Sequence, residues 1–247
     1  MLDKNFSVTV RKLTDRDLML EACESTFIGK SNQSLLSIYK SEHSPARTQL
    51  FWITIKNAPL FAVSHMVRHH IGIEKFQLTM RNDRHGAKDQ CPYIADRLVE
   101  IIAIPEEHRA EEEVKEMYDL LDELKYRAGR NALTNLSILV NAQSLIDMSK
   151  VRLCLIASTE TRQIFLAIKD VISREDPELA SMMVRKCVYR GGICGEPKCC
   201  GFNNTPTFRE ELRDYLKNFT KTQQGNNAIE PKSDRNEARW KQGRIFN

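Results

Sequence analysis

Apolar and polar residues alternate through FWITIK (51–56), which puts Phe51, Ile53 and Ile55 on one face and predicts a half-buried strand. The next stretch, APLFAVSHMVRHHI, becomes continuously apolar. It carries Pro59 where the first turn of a helix tolerates proline, so a helix is expected that ends on the basic trio Arg68, His69 and His70, beside a turn at Gly72. Residues 106–128 show the clearest helical period: Val114, Met117, Leu120, Leu121 and Leu124 recur on one side, acids crowd the first turns, and Gly129 stands where a C-cap should. LSILV (136–140) reads as a short buried strand, and the segment from Asn141 to Ile172 as one or two helices ending before SREDPE. From Gly191 the composition turns to Gly, Cys, Asn and Pro. Short strands mixed with longer helices, without regular strand–helix alternation, predict an α+β fold. A single domain over residues 1–220 is expected, with a Cys-rich loop at 187–201 inside it. A polar tail follows at 221–247, with Trp240 as its candidate anchor.

Composition adds bounds. The chain has 247 residues, 41% hydrophobic and 28% charged, the profile of an ordinary globular protein with room for a sizeable core. A net charge of +4 permits an anionic ligand but falls short of the basic face of a dedicated nucleic-acid binder. No apolar run reaches the roughly 18 residues of a membrane span, and MLDKNFSVTVRKL lacks the apolar core of a signal peptide. A cytoplasmic protein without a membrane partner is the expectation.

RHHIGIEKFQLTMRND (68–83) is the stretch that carries chemistry. Three basic side chains follow an apolar helix, Arg81 comes thirteen residues after Arg68, and Gln77 and Thr79 lie between. Cations favour a helix C-terminus, so a solvated basic helix end is one reading. A phosphate site is the other, because arginine's planar fork binds phosphate oxygens bidentately while Thr and Gln add hydrogen bonds. Neither G-x-G-x-x-G after a strand nor G-x-x-x-x-G-K-[ST] occurs, so any phosphate would be held by side-chain cations rather than a glycine-rich cradle.

The same stretch resembles the signature RHRxxSxNExSxRY of flavin-dependent thymidylate synthases. Arg68 and His69 match its first positions and His70 stands for the second arginine. After one inserted residue Gln77 stands for Glu, Thr79 for Ser and Arg81 for the last Arg; Phe76 replaces the Asn and Asn82 the Tyr. Three further segments follow the family's order. EHSPART (42–48) is similar to its His-Ser/Thr-Pro flavin element, and GRNAL (129–133) to its phosphate-arginine segment, with Arg130 the counterpart. NAQSLIDMSKVRLCLIASTETR (141–162) is similar to its N-A-R-S-L segment through Asn141, Ala142, Ser144, Leu145, Arg152, Ala157, Glu160 and Arg162. The ending KCVYRGGICGEPKCCGF is similar to a tail found in part of the family.

The resemblance implies a flavoprotein methyltransferase of nucleotide biosynthesis, with helices around a central, largely antiparallel sheet and four copies assembled as a homotetramer. It implies FAD as cofactor, NADPH and methylenetetrahydrofolate as co-substrates, and reductive methylation of dUMP at C5 to give dTMP. FAD would be held by His43, Ser44, Arg68, His69, His70, Asn141 and Asp147. The nucleotide would be held by His65, Gln77, Thr79, Arg81 and Arg130, with Arg152 reading the pyrimidine edge as the residue closest to the chemistry. Ordinary alternatives stand beside two of these roles: a core histidine at 65 and a helix-surface arginine at 152.

The departures point to what would differ. His70 can lose its charge near neutral pH where arginine cannot. Gln77 removes a carboxylate, Gln143 replaces the Arg of N-A-R, and Ile156 stands where a flavin-side His is usual. A diverged paralogue acting on dCMP or UMP, or adding a hydroxymethyl group, is therefore the alternative enzyme. An inactive nucleotide- or nucleic-acid-binding protein is the alternative outside enzymes. Among the seven cysteines, Cys187, Cys194, Cys199 and Cys200 fall close together. They contain no C-x-x-C pair, and adjacent cysteines cannot easily share one ion. They read as free thiols in a glycine-rich loop, with structural zinc as the alternative, and no metal ligand is assigned.

Overall fold

The computed structural model describes residues 2–26, 28–78, 91–127 and 132–223. The alternation at 51–56 is the middle of a longer strand, β2 (Leu50–Pro59), which pairs antiparallel on one side with β1 (Ser7–Lys12) and on the other with β4 (Leu133–Asn141). The strand β3 (Ile73–Gln77) closes the far edge, giving a four-stranded antiparallel sheet in the order β1-β2-β4-β3. Phe51, Ile53 and Ile55 are fully buried and face their partners Val140, Ile138 and Leu136, also fully buried. Each such side chain contributes roughly 1.5–3 kcal/mol by leaving water.

The opposite face of the sheet is partly open. Trp52 lies there with its ring 5.4 Å from that of Phe76, and its indole N–H donates to Thr54 Oγ1 at 3.1 Å. Thr54 in turn shares a hydrogen bond of 3.2 Å with Ser137 across the β2–β4 pair. A bulge between Ile55 and Ala58, with Asn57 at φ 54°, bends β2 so that it runs directly into helix α3 (Leu60–Met66).

Five helices start on a side chain that takes an orphan backbone N–H. Asp15 caps α1 (Arg16–Glu24) and Ser34 caps α2 (Leu35–Ser41). Further on, Asn141 caps α6 (Ala142–Arg152) and Ser158 caps α7 (Thr159–Glu175), while Asp176 caps α8 (Pro177–Met182). Helices α4 (Cys91–Ala103) and α5 (Glu111–Arg127) pack on each other, with Arg97 gripping Glu116 through two hydrogen bonds of 2.9 Å. The chain continues through α9 (Lys186–Tyr189) and a glycine-rich loop into α10 (Pro206–Gln223).

Several boundaries differ from the sequence reading. The helix expected over 106–128 begins at Glu111, because Pro105 sets off a 3-10 turn at Glu106–His108 and Arg109 ties back to the carbonyls of Ile104 and Ile102. The helix that was to stop before SREDPE runs on to Glu175 and ends only where Asp176 turns inward. Strands β1 and β3 and helices α1, α2, α4, α8, α9 and α10 were not foreseen. The candidate C-cap at Gly129, and the tail beyond Gln223 with Trp240, lie outside the described residues. Among the described residues no helix is long and apolar enough to cross a membrane.

Asp176 does more than cap a helix. Its side chain is fully buried; one oxygen accepts from Lys12 Nζ at 2.7 Å and from the Tyr39 hydroxyl at 2.9 Å, while the other accepts from the Leu179 N–H at 3.0 Å. One carboxylate thus joins β1, α2 and the α7–α8 corner. Burial, and then the neighbouring Asp176 charge, push the Tyr39 hydroxyl far above its ordinary value, so it is a donor at every working pH. Breaking one partner of a buried ion pair leaves the other charge uncompensated. We expect Asp176→Asn, which keeps the cap, to cost about 3 kcal/mol of unfolding free energy. A urea transition at the wild-type midpoint would show that the pair contributes nothing.

Candidate active site

The site forms where the end of α3, the turn before β3 and the whole of α6 meet. Gly72 makes this junction possible. Its φ is +67°, and a Cβ there would lie 2.1 Å from Asn141 Nδ2 and 2.5 Å from Ser144 Oγ, so the turn can close on the start of α6 only with glycine. The closure is tied by three bonds. Asn141 N–H donates to the Gly72 carbonyl at 3.1 Å, Ser144 Oγ to the Ile71 carbonyl at 2.7 Å, and Ser144 N–H to Asn141 Oδ1 at 2.9 Å. Asn141, expected as a cofactor ligand, is buried and occupied as the cap of α6.

Helix α3 ends at Met66, a turn earlier than expected, so Arg68, His69 and His70 stand just beyond its C-terminus. Lys75, which the sequence reading passed over, fastens this segment from β3. Its ammonium donates to the carbonyls of Val67 at 3.2 Å and His69 at 2.8 Å, and to His70 Nδ1 at 3.1 Å. All three ammonium protons are thereby used, and because His70 Nδ1 accepts, its remaining proton sits on Nε2, facing away from Lys75.

Arg152 closes the cluster from the last turn of α6, where the helix dipole favours a cation. Its Nε donates to His69 Nε2 at 3.1 Å, which fixes the His69 proton on Nδ1 and leaves both terminal NH2 groups of the guanidinium uncommitted to that bond. Burial and the Arg152 charge hold the His69 pKa down at about 4, with His70 and Lys75 adding to the effect and Asp147 opposing it. Arg152 itself is pulled below its ordinary value by burial and by Arg68. Cations therefore crowd here around a neutral imidazole. Asp147, the carboxylate that opposes this effect on His69, is more than half exposed and already bound to Lys150 at 3.0 Å.

The EHSPART element is locked to the same helix from its first residue. Glu42, at φ 51°, accepts from Gln143 Nε2 at 2.7 Å and from Lys150 Nζ at 3.0 Å, and Lys150 in turn stacks 3.9 Å above the Tyr189 ring. Burial alone would raise the Glu42 carboxyl, but hydrogen bonds from Tyr189, Lys150 and Gln143 outweigh it and hold it lower. His43 and Ser44 follow, lining a cleft with Gln33, Ser37 and Ser41 on α2 and its approach. Gln143 is thus spent on fastening this element rather than turned to a ligand.

The remaining candidates divide. His65 sits on α3 with Nδ1 3.1 Å from Thr161 Oγ1 of α7 and its ring edge-on to Phe61, so it helps join the two helices. Gln77 ends β3 with its side chain exposed. Thr79, Arg81 and Arg130 lie outside the described residues. Their flanks do not: Leu78 N–H bonds to the Asn135 carbonyl, and Ala132 offers its carbonyl to Leu60, so the two segments leave and rejoin the sheet at one end. That end is roughly 16 Å along β3 from the Gly72 turn and the cationic cluster. Ile156 is 53% exposed in the corner between α6 and α7, which Arg162 fastens by donating to the Leu155 and Ala157 carbonyls.

The fold matches that of solved thymidylate synthases of the flavin type. Thymidylate synthase X from Helicobacter pylori, solved with FAD and dUMP, superposes with a TM-score of 0.50 at 16% identity, covering 72% of this chain and 99% of that one. A UMP/dUMP methylase, PolB from Streptomyces cacaoi, bound with 5-Br dUMP, gives 0.47 at 15%, covering 73% and 95%. A model of the thymidylate synthase complementing protein family matches residues 11–178. The chain belongs to that family, as its motifs suggested, and is an enzyme of the flavin-dependent thymidylate synthase type. Among curated proteins no match was found.

Held neutral, His69 gives the site a measurable pH signature. In the unfolded chain it takes its proton near 6.5, in the folded one near 4. As pH falls through that window the unfolded state binds the proton first, so acid weakens the fold. An NMR titration should place the His69 ring near 4, and Arg152→Ala should move it up towards the ordinary value. A wild-type ring titrating near 6.5 would show that Arg152 does not press on it.

Proposed function

We propose that this protein is an FAD-dependent enzyme that transfers one carbon reductively to C5 of a pyrimidine deoxynucleotide, dUMP to dTMP by default, with methylenetetrahydrofolate and NADPH as co-substrates. The observation that carries this reading, within a chain of the thymidylate synthase complementing protein family, is the Arg152–His69 pair. A guanidinium is braced by a neutral imidazole and crowded by Arg68, with burial and Arg68 acting on its charge and no ion pair to a carboxylate among the described residues.

The residues present suit an anionic dinucleotide. Arg68 is exposed beyond the end of α3, and His70 keeps an outward Nε2–H, so both can donate to phosphate or to flavin carbonyl oxygens. When bound, FAD supplies the reducing chemistry that the side chains lack. The chain's own part is to bind and orient. Lys75 rigidifies the 67–70 segment, His69 points the Arg152 fork, and that fork donates to the carbonyl edge of a uracil better than to cytosine's amino edge. Keeping the ring, the cofactor and the one-carbon donor in near-attack register can itself supply several kcal/mol of the rate acceleration. Thr79, Arg81 and Arg130 complete the proposal as the nucleotide's phosphate clamp, with Gln77 at the sugar.

The resemblance implies sites that borrow side chains from neighbouring subunits, so that one chain alone would not complete one. The reading therefore includes a homotetramer with sites shared between subunits. Exposure of Ile156, an apolar side chain near the end of α6, favours a second possibility: a paralogue for another pyrimidine nucleotide, dCMP or UMP, or for a hydroxymethyl product.

The purified protein should be yellow and bind FAD in a fluorescence titration, and Arg68→Ala should weaken that binding about ten- to a hundredfold, the effect of losing one charged hydrogen bond of roughly 1.5–3 kcal/mol. A colourless protein that binds no flavin would overturn the enzyme assignment in favour of an inactive nucleotide-binding one. Product analysis with dUMP, dCMP and UMP separates the enzymes, and light scattering should give a mass near four chains of 28.5 kDa.

Isothermal titration tests the nucleotide roles. Arg81→Ala or Arg130→Ala should weaken dUMP about ten- to a hundredfold while sparing FAD. Arg152→Ala should instead erode the preference for dUMP over dCMP. If Arg81→Ala and Arg130→Ala bind dUMP like wild type, the alignment through the inserted residue fails.

A further inference from the structure

Helices α7, α8 and α10 enclose a cleft of about 370 Å³ that the proposed reaction does not use. Its volume lies near the low end of small-molecule sites, so it has room for a metabolite of a few carbons and not for a dinucleotide. None of the residues lining it belongs to the cationic cluster or to the EHSPART element. Ala180, Val184 and Tyr215, all buried, give it an apolar lining. Its polar groups come from all three helices, and they fall into two kinds.

The first kind is charged, and one charge is unmatched. Among the described residues no hydrogen bond or ion pair holds the ammonium of Lys169, on the α7 wall. The acids of the α10 wall are already taken: Glu211 pairs with Arg185 at 3.4 Å and Asp214 with Lys217 at 2.7 Å. Burial holds the Lys169 ammonium below its ordinary value, with Glu211 opposing the effect and Arg185 adding to it. A cation drawn partly out of water without a partner costs free energy, and a bound anion would recover it. The second kind is neutral. The Ser173 hydroxyl donates to the Asp170 carbonyl at 2.6 Å and the Ser181 hydroxyl to the Glu178 carbonyl at 2.7 Å. Their protons are spent, so what both serines offer the cleft is oxygen lone pairs. Asn218 is held through its backbone carbonyl, which accepts from Lys40 at 2.9 Å, and this leaves its amide side chain to the cleft.

We propose that this cleft binds a small hydroxylated anion, a hydroxy acid or a sugar phosphate, with its anionic head on Lys169 and its hydroxyls donating to Ser173 and Ser181. A lysine ammonium meets carboxylate and phosphate alike as a point charge, so the head can be either. The hydroxyls follow from the serines, whose lone pairs a bare anion would leave unanswered. An amino acid fits less well, because its ammonium would meet carboxylates that already have cations. Binding is non-covalent, and the site does not rest on the flavin reading.

The test reads Lys169 directly in the full-length protein. Trace acetylation with acetic anhydride, followed by peptide mass spectrometry, should label Lys169 at a rate that millimolar glycerate or glycerol 3-phosphate slows. The rate at exposed Lys115 on α5 should not change. Protection by glycerate identifies a carboxylate head and protection by glycerol 3-phosphate a phosphate head. In calorimetry with the protecting compound, Lys169→Gln should weaken binding about ten- to a hundredfold, the loss of one charged hydrogen bond. Its thermal midpoint should be no lower than that of wild type, because the variant removes a charge that has no partner to lose. No protection by either compound would overturn the proposal, as would equal protection by glycine or by inorganic phosphate. So would wild-type affinity in Lys169→Gln, or a midpoint that falls, which would reveal a structural partner for the ammonium.

Discussion

The buried carboxylate of Asp176 is the point on which the arrangement of this molecule turns. A charge fully removed from water is tolerated only when its acceptor sites are filled, and Asp176 fills them with an ammonium from β1, a phenol from α2 and a backbone N–H from α8. The three donors come from residues 12, 39 and 179, so the bond network cannot form until the first strand has joined the sheet and α7 has reached its end. Helix α2 is thereby fixed in place, and with it Glu42, His43 and Ser44 at its C-terminal end. The position of the EHSPART element against α6 thus depends on a carboxylate that touches neither.

A second constraint shapes the cationic cluster. Like charges brought together cost free energy, and proteins accept that cost where a ligand of opposite charge is to be met. The cluster limits it by dividing labour. Lys75 has its ammonium held by carbonyls at the helix end, His69 is kept uncharged, and Arg68 remains at the surface, so that among the cluster's described residues Arg152 carries its charge inward. The substitution of His70 for a second arginine fits this pattern, since a further permanent positive charge at that position would face the Lys75 ammonium, whereas His70 Nδ1 accepts from it.

How far the sequence revealed this depended on whether a residue's role was local. The inward face of β2 was legible from alternation because Phe51, Ile53 and Ile55 face one continuous core. The basic trio was legible because it follows an apolar helix, and the motif order pointed to the family that the comparison then established. Lys75 was missed since a lysine on a five-residue edge strand has no periodic signature strong enough to read, and its importance lies in three acceptors supplied by the turn. Asn141 was read as a ligand from its place in a motif, and the fold adds that its Oδ1 caps α6. Asp176 stayed hidden because it acts chiefly through Lys12 and Tyr39, more than a hundred residues away, and such pairings are properties of the fold.

The open face of the sheet has an optical consequence. The chain carries two tryptophans, of which Trp52 stands on that face, bonded to Thr54 and stacked near Phe76. An indole there is half shielded by its own strand neighbours and half turned to the surroundings, so its emission colour depends on what covers the sheet. The protein therefore carries a native fluorophore that senses whether β2 and β4 are bare or overlaid. It does so without any introduced label.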